Sequence, residues 1–323
     1  MSLRIYVAIC THNRYDLLRG AIASVVPHLV DGRRMLLVVD NSYDPEAAAA
    51  FAREYEALPG IAFCYESVAG ISNARNAALA RCADDDVVAF LDDDARPRAG
   101  WLDALEAAFS ESLPPPDAVG GPVEPQWPGA KPAWIHDEAL SYLSVVDLGR
   151  ERRMLDGREW LAGTNIAFRV GPIRALGGFD TRLGRIGPSA LLSNEDIDAQ
   201  QRLRAAGGRV LYEPAATVTH VIDPERLTQA WFRRRVAWQA ISNFTVDPAR
   251  VEADAARAGQ GIGNFLKALP PGERTLAALA ADVPTSSLFR LQLRANYLLQ
   301  CSLLAGSGVP AVAVAPGTSE PGG

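Results

Sequence analysis

Short apolar segments alternate with longer segments of helical periodicity over the first third of the chain. The apolar segments are nearly continuous, as expected of strands that are buried on both faces. The predicted strands are 5–10, 35–39, 61–65 and 87–91, and the predicted helices are 15–26, 45–58, 70–82 and 101–109. This alternation predicts an α/β fold in which helices cover both faces of a mostly parallel sheet.

The pattern becomes irregular after residue 113. The segment 114–134 is rich in proline, glycine and tryptophan, which is typical of a long, shaped loop region that grips a substrate. Regular sequence returns at 160–169, followed by a predicted helix at 194–206, strands at 209–212 and 217–222, and mainly helical segments at 228–244, 248–267 and 276–304. Residues 306–323 are small and proline-rich, which predicts a disordered tail.

Composition narrows the functional class. The chain has 48% hydrophobic and 22% charged residues, as globular proteins do, and its net charge of −6 does not favour nucleic acid as a partner. The four cysteines are scattered without a Cys-x-x-Cys pair, which excludes the usual zinc knuckle and favours buried thiols in a reducing compartment. Because neither a signal-peptide pattern nor about 18 uninterrupted apolar residues is present, we expect a soluble, cytoplasmic protein.

Polar clusters follow three of the predicted strands, at 11–14, 40–42 and 92–94. Ligands of an open parallel sheet bind beyond the carboxyl ends of its strands, so these clusters are candidates for a binding site. Three adjacent carboxylates at 92–94 repel one another and need compensation. A capping role explains one of them, whereas a divalent cation with a bound diphosphate explains more of them, and we favour that interpretation.

Three further features are candidates for chemistry. Glu195 and Asp196 begin a predicted helix, where acids complement the helix dipole or act as a general base, and the sequence supports both interpretations equally. His220 ends a predicted strand and becomes a candidate ligand beside an aspartate metal site. The segment 70–76 begins a helix whose backbone amides, together with Arg75, would suit a phosphate.

Taken in order, these segments resemble the family 2 glycosyltransferases, which have the GT-A fold. The matching segments are VAICTHNR (7–14), VVDNS (38–42), GISNARNAAL (70–79), FLDDDARP (90–97), AGTNIAFRV (162–170), GGFD (177–180), NEDIDAQQRLRAAG (194–207) and YEPAATVTH (212–220). The resemblance covers about residues 3–235, and the ordered series is more specific than any one of its motifs.

The resemblance implies a role for each matching residue. The nucleotide-sugar site that it implies consists of Thr11, Asn13, Arg14, Asp40, Arg75, Asn76, Asp92 and Asp93. Asp92 and Asp94 match the two acids of the DxD motif, and Asp94 with His220 would bind Mn²⁺ or Mg²⁺. Asp196 matches the catalytic base of the ED motif, with Glu195 beside it. After Asp40 the sequence reads Asn-Ser-Tyr-Asp where Gly-Ser-x-Asp is commoner, a departure from the family pattern in that loop.

The resemblance also implies the reaction. A metal-dependent, inverting enzyme would move one sugar from a nucleoside-diphosphate sugar, with UDP-sugars favoured, to a hydroxyl of a glycan, a lipid-linked or a small-molecule acceptor. The Gln-x-x-Arg-Trp motif of processive synthases is missing, which favours single transfer. Two alternatives stay open: a sugar nucleotidyltransferase, although the Gly-rich loop expected after the first strand is absent, and a non-catalytic nucleotide-sugar-binding module.

The expected organisation follows from these matches. We expect a GT-A catalytic domain at 1–225, with a nucleotide-sugar half at 1–123 and an acceptor half at 124–225, then a helical extension at 226–305 and the tail. Arg233, Arg234 and Arg235 lie beside Trp231 and predict a solvated basic face, with an acidic acceptor or a membrane surface as the alternative contact. That alternative would make the enzyme peripheral at the inner face of the membrane.

Overall fold

The computed structural model describes residues 3–29, 32–187 and 190–307. Its first four strands are those that the apolar pattern predicts: β1 (Ile5–Thr11), β2 (Arg34–Asp40), β3 (Ile61–Tyr65) and β4 (Val87–Asp92). The described residues form seven more: β5 (Ala95–Pro97), β6 (Ala118–Gly120), β7 (Val123–Gln126), β8 (Arg153–Met154), β9 (Asn165–Arg169), β10 (Val210–Tyr212) and β11 (Val218–Val221).

The main sheet has eight strands in the order β3-β2-β1-β4-β9-β6-β10-β8. The first four strands are parallel, β9 is antiparallel to both β4 and β6, and β10 is parallel to β6. A second sheet has the order β5-β11-β7. Since β5 follows β4 almost directly, this small sheet lies at the carboxyl end of β4, where the aspartates are.

Six helices accompany the strands of the main sheet: α1 (Tyr15–Val25), α2 (Pro45–Arg53), α3 (Ile71–Leu79), α4 (Trp101–Glu111), α5 (Val170–Ala175) and α6 (Glu195–Ala205). Strand β1 shows why its sequence is continuously apolar. Val7 and Ile9 belong to one hydrophobic core with α1 and α4, and Ala8 belongs to a second core with α3 and α6. Alternate side chains therefore serve opposite faces of the sheet.

The C-terminal part is helical, with α7 (Gln229–Val246), α8 (Pro248–Ala255), α9 (Ala258–Ala268) and α10 (Ser286–Gly306). Thr228 and Thr285 cap α7 and α10 by accepting hydrogen bonds from backbone N–H groups in the first turn. The helices share a core of aromatic rings in which Trp134 packs against Phe232 and Phe289. Trp134 therefore packs the segment 114–134 against the helical extension.

The segment 114–134, which the sequence predicts to be a loop region, is not a loop throughout, because it contributes the strands β6 and β7. These strands have three and four residues, which is too short for a hydrophobic period to show in the sequence. The predicted tail lies outside the described residues from 308 onward, and α10 ends at Gly306. Within the described ranges, no helix combines the length and the apolar character that a bilayer crossing requires.

Candidate active site

A cavity of about 1970 Å³ opens at the carboxyl ends of β1, β2 and β4 and reaches α6 and the C-terminal helices. Its wall includes most of the residues that the sequence nominates: Thr11, Asn13, Arg14, Arg75, Asp92, Asp93, Asp94, Glu195, Asp196 and His220. These come from five separate segments of the chain. The sheet therefore gathers both acidic motifs into one space.

The protein itself supplies much of the compensation that the three aspartates need. Asp93 is buried, and its two oxygens accept hydrogen bonds from Thr11 Oγ1 at 2.8 Å and Arg14 Nη1 at 2.7 Å. Burial and the neighbouring Asp94 raise the pKa of Asp93 to about 7. Asp92 is more open to the cavity and accepts a hydrogen bond from Thr164 Oγ1 at 2.5 Å. Asp93 is thus held inside the protein, whereas Asp92 faces the space where a ligand would lie.

Asp94 and His220 form a pair that suits a divalent cation. The strand register places His220 opposite Ala95, so His220 Nε2 lies 3.1 Å from Asp94 Oδ1. The other ring nitrogen, Nδ1, lies 2.9 Å from the carbonyl oxygen of Leu143 and can donate to it, which leaves Nε2 facing the carboxylate. Asp94 Oδ1 is buried and, among the described residues, accepts no hydrogen bond of good geometry. One nitrogen and one oxygen donor at this separation fit neighbouring positions around Mn²⁺ or Mg²⁺.

The electrostatics favour a cation at Asp94, which stays ionised, whereas at His220 a cation would have to displace a proton. Burial opposes ionisation of Asp94, but His220 and Arg14 outweigh it and hold the pKa of the carboxyl well below its usual range. Burial likewise opposes protonation of His220, but Asp94 outweighs it and raises the pKa of the imidazole. No cluster of three metal-ligating side chains occurs in the described part of the chain. A cation here would therefore take its other ligands from water and from a substrate diphosphate.

Arg75 links the two acidic motifs. Its Nη1 lies 2.9 Å from Glu195 Oε1 and its Nη2 lies 3.7 Å from Asp92 Oδ1, although the two acids are 103 positions apart in the sequence. The guanidinium lies over the rings of Phe90 and Phe179, with its carbon 5.6 and 5.4 Å from their centroids. The side chain is buried, so a single guanidinium fixes the distance between the motifs.

Gly163 makes this arrangement possible. A Cβ atom at this position would lie 2.6 Å from Arg75 Nη2, closer than real contacts allow. The backbone N–H of Gly163 donates to Asp196 Oδ2 at 2.7 Å, and the N–H of Ile197 donates to Asp196 Oδ1 at 2.8 Å. Asp196 is therefore held in one orientation at the start of α6 and remains partly exposed to the cavity.

Glu195 is the more buried acid of the pair. Burial and the charge of Asp196 raise its pKa to about 7, against the opposing effect of Arg75. A carboxyl group with a pKa near 7 is protonated in part of the population at neutral pH. Asp196 is accordingly the acid of the pair with direct access to a substrate.

The C-terminal helices hold the start of α6. Asn194, which has a left-handed backbone with φ of 76°, donates through Nδ2 to Asn243 Oδ1 at 2.9 Å and accepts from Gln239 Nε2 at 2.8 Å. Asn243 donates in turn to Tyr297 at 2.8 Å, and the Tyr297 hydroxyl donates to Asp254 at 3.0 Å. This hydrogen-bonded chain connects α7, α8 and α10 to the residue that precedes Glu195.

Two nominated residues are not brought to the cavity wall. Both oxygens of Asp40 are occupied, by the hydroxyl of Tyr15 and the backbone N–H of Ser42. Asn76 bonds through both ends of its amide to the backbone of Phe179. Asp40 thus forms the turn that a post-strand aspartate commonly forms, and Asn76 fixes the loop at 177–180.

The structure adds cavity residues that the sequence did not single out. Arg226 Nη2 lies 3.8 Å from Asp94 Oδ2, and Arg185 lines the same space. The side chains of the three consecutive arginines do not share one face of α7. Arg233 pairs with Asp282 away from the cavity, whereas Arg235 is buried at the cavity wall. Their helical spacing could have indicated that they lie on different faces of α7, but only packing shows which face meets the cavity.

Comparisons with known proteins agree with this geometry. The profile of the family described as Glycosyl transferase family 2 matches residues 6–167, half of the chain. The chain is 27% identical over 248 residues to the glucosyl-dolichyl phosphate glucuronosyltransferase of Haloferax volcanii, covering 76% of this chain and 78% of that protein. It is 32% identical over 212 residues to the pre-mycofactocin glycosyltransferase of Mycobacterium tuberculosis, covering 63% of this chain and 40% of that protein.

Among solved structures, a mannosyltransferase of Pyrobaculum calidifontis, in complex with GDP-Man and Mn²⁺, has the same fold. The two superpose with a TM-score of 0.56 at 19% identity, covering 94% of this chain and 87% of that one. The predicted fold class is thereby confirmed, as is the predicted enzyme class. The chain belongs to glycosyl transferase family 2 and is a glycosyltransferase of GT-A fold.

Proposed function

We propose that the enzyme is a metal-dependent, inverting glycosyltransferase that moves one sugar from a nucleoside-diphosphate sugar to an acceptor hydroxyl. The observation that carries this proposal is the bridge of Arg75 between Asp92 and Glu195 in one cavity. It places the side chains suited to a donor nucleotide next to the side chains suited to removing a proton from an acceptor.

The donor side consists of the ends of β1 and β4. Asp92 is positioned by Thr164 and is the acid free to bind a ribose hydroxyl. Asp94 and His220 would hold Mn²⁺ or Mg²⁺, which supplies positive charge to a departing diphosphate. Arg226, beside Asp94, would add a second positive charge at the same place. One structural neighbour was solved with GDP-Man and Mn²⁺ and another with UDP, GalNAc and Mn²⁺, which supports a donor and a cation of this kind.

The acceptor side consists of the start of α6. The Asp196 carboxylate, fixed by the N–H groups of Gly163 and Ile197, would accept the proton of the attacking hydroxyl. The hydroxyl oxygen then bonds to the anomeric carbon as the bond to the diphosphate breaks on the opposite face, which inverts that carbon. Glu195 would stay behind Asp196, bound to Arg75.

The names of the relatives support an acceptor that is itself a glycan or a glycosylated molecule. The absence of the processive motif favours transfer of one sugar at a time. UDP-sugars remain the first donors to test, and GDP-sugars come second because a structural neighbour was solved with GDP-Man.

The test is release of nucleoside diphosphate from a panel of UDP- and GDP-sugars with Mn²⁺. We expect slow release from one donor, and loss of this release when EDTA removes the cation. In the variant Asp196→Asn, turnover should fall by about two orders of magnitude or more, as for loss of a general base. Affinity for the donor, measured by calorimetry, should stay near the wild-type value.

The control variant is Glu46→Gln, because Glu46 also lies in the first turn of a helix but is exposed and outside the cavity. It should keep full turnover. If Asp196→Asn retained turnover as Glu46→Gln does, Asp196 would serve the helix dipole alone and the assignment of the base would be wrong.

A further inference from the structure

The cavity does not end at the proposed reaction centre but continues along the C-terminal helices. Between α7 and α10 its wall carries two aspartates and six arginines, namely Arg234, Arg235, Arg250, Arg257, Arg290 and Arg294. Asp254 pairs with Arg257 and Arg294, and Glu138 on the same wall pairs with Arg290, so positive charge remains in excess after these pairs. This excess of positive charge occurs in a protein whose net charge is −6. A surface that opposes the overall charge in this way favours a negatively charged ligand.

Arg235 is the most deeply placed of these arginines. It is 8% exposed, and its guanidinium lies over the ring of Tyr142 at 5.5 Å from the centroid. Its Nη2 donates to Ser193 Oγ at 3.0 Å and to Gln239 Oε1 at 2.9 Å, whereas its Nη1 has no hydrogen-bond partner. A buried guanidinium with only neutral partners carries a desolvation cost that an anion would offset.

Arg185 lines the same cavity. In the ranges that the structure describes, its side chain makes neither an ion pair nor a hydrogen bond, although it is half-buried at the cavity. Burial, together with repulsion from Arg226 and Arg235, lowers its pKa to about 10. Two cations that repel each other across a cavity would be stabilised by an anion between them.

Both arginines flank the start of α6. Ser193, which receives the hydrogen bond of Arg235, lies two positions before Glu195. Gly184, next to Arg185, is so close to Glu195 that a Cβ atom there would lie 3.3 Å from the carboxyl carbon. Arg226 differs, because it lies beside Asp94 on the donor side. Arg235 therefore lies on the acceptor side, whereas Arg185 lies between the two sides, since the charges of Arg226 and Asp94 act on it as well as that of Glu195.

We propose that Arg185 and Arg235 form a binding site for an anionic group, a phosphate or a carboxylate, on the acceptor. The proposal rests on the proposed function only in assigning the ligand as the acceptor. Guanidinium groups bind both kinds of anion through paired hydrogen bonds. An anion held here would place a nearby hydroxyl beside Asp196, and the other five arginines of the α7–α10 wall lie beyond it.

The test compares a neutral octyl glycoside with two related ligands that each carry one anionic group. Octyl glucoside is neutral, octyl glucuronide carries a carboxylate, and glucosyl octyl phosphate carries a phosphodiester. We expect the enzyme, saturated with UDP or GDP and Mn²⁺, to bind at least one of the two anionic ligands about tenfold or more tightly than the neutral one. The stronger of the two anionic ligands identifies the group that the site recognises.

The variants Arg185→Gln and Arg235→Gln should each abolish this preference while the affinity for the nucleoside diphosphate stays unchanged. Arg233→Gln is the matched control, since Arg233 lies on the same helix but pairs outward with Asp282. Arg235→Lys keeps the charge and should keep part of the preference for the anionic ligand, so it distinguishes the loss of the charge from the loss of packing. Arg185→Gln tests the loss of charge at a less buried position.

Two outcomes would overturn the proposal. The first is equal binding of the neutral and both anionic ligands by the wild-type enzyme. The second is that both glutamine variants lose as much affinity for the nucleoside diphosphate as for the anionic ligand. That result would assign these arginines to the donor. Failure of the proposed function is a separate result, because it would show as no release of nucleoside diphosphate from any donor.

Discussion

Asn194 offers a quantitative test of how the C-terminal helices support the start of α6. Its amide makes two hydrogen bonds to α7, at 2.9 Å to Asn243 and 2.8 Å from Gln239. Each is worth about 1 kcal/mol, so Asn194→Gly should lower the free energy of unfolding by about 2 kcal/mol. Asn194→Ala loses the same bonds and keeps a Cβ atom at φ of 76°, a conformation that asparagine adopts more readily than alanine, so its loss of stability should be at least as large.

Urea denaturation of the full chain measures these losses by linear extrapolation. Turnover of Asn194→Gly should also fall by about ten- to hundredfold, because Glu195 and Asp196 lose the contact that fixes them. Asn296→Ala is the matched control, since it removes two amide hydrogen bonds to carbonyl groups of the extension, at 3.0 Å each, away from α6. It should lose similar stability at unchanged turnover.

Either of two results would refute this reasoning. One is a free energy of unfolding for Asn194→Gly within about 0.5 kcal/mol of wild type, since two hydrogen bonds should cost more. The other is a turnover loss in Asn296→Ala as large as that in Asn194→Gly. The second result would mean that general loosening of the extension, rather than the contact at Asn194, affects the reaction.

Two more predictions concern the acids and the cation. His220→Ala removes one of the two proposed metal ligands, so the Mn²⁺-dependent affinity for a nucleoside diphosphate, measured by calorimetry, should fall about tenfold or more. The control His28→Ala, at a residue outside the cavity, should leave this affinity unchanged. Glu195 has its pKa raised from 4.5 to about 7, so the folded state retains a proton that the unfolded state has released between these values. Stability should therefore fall as pH rises through this window, by up to about 1.4 kcal/mol per pH unit from this group. Denaturation at several pH values should show a shallower slope for Glu195→Gln, and an unchanged slope would contradict the shift.

The local sequence was sufficient for the first four strands of the fold. Strands β1 to β4 are predicted within one residue at each end, because continuous apolar runs between amphipathic segments have no other stable arrangement than a covered sheet. The same logic places Thr11 and the aspartates at one edge of the sheet. Strand β9 shows the limit, since its position between β4 and β6 depends on pairing with distant segments.

The two acidic motifs, at 92–94 and 195–196, also show what the sequence predicts and what it does not. Their sequence and order resemble those of family 2 glycosyltransferases, and that resemblance implies a nucleotide, a cation and a base. The sequence did not reveal that Arg14 and Thr11 hydrogen-bond to Asp93, or that Arg75 joins Asp92 to Glu195. It also did not reveal that Asp40 and Asn76 face the protein interior instead of the cavity.

By itself, then, the sequence determined the α/β framework, the family and the chemical type of the site, since all three depend on residue types at short spacing. The tertiary structure decided which polar groups satisfy one another and which face the cavity. Each such pairing competes with others for the same donors and acceptors, and the outcome depends on the packing of segments up to 120 residues apart, as for Arg75 and Glu195. That Arg185 has no ion pair and Arg235 no acidic partner among the described residues is visible only after that competition has been resolved.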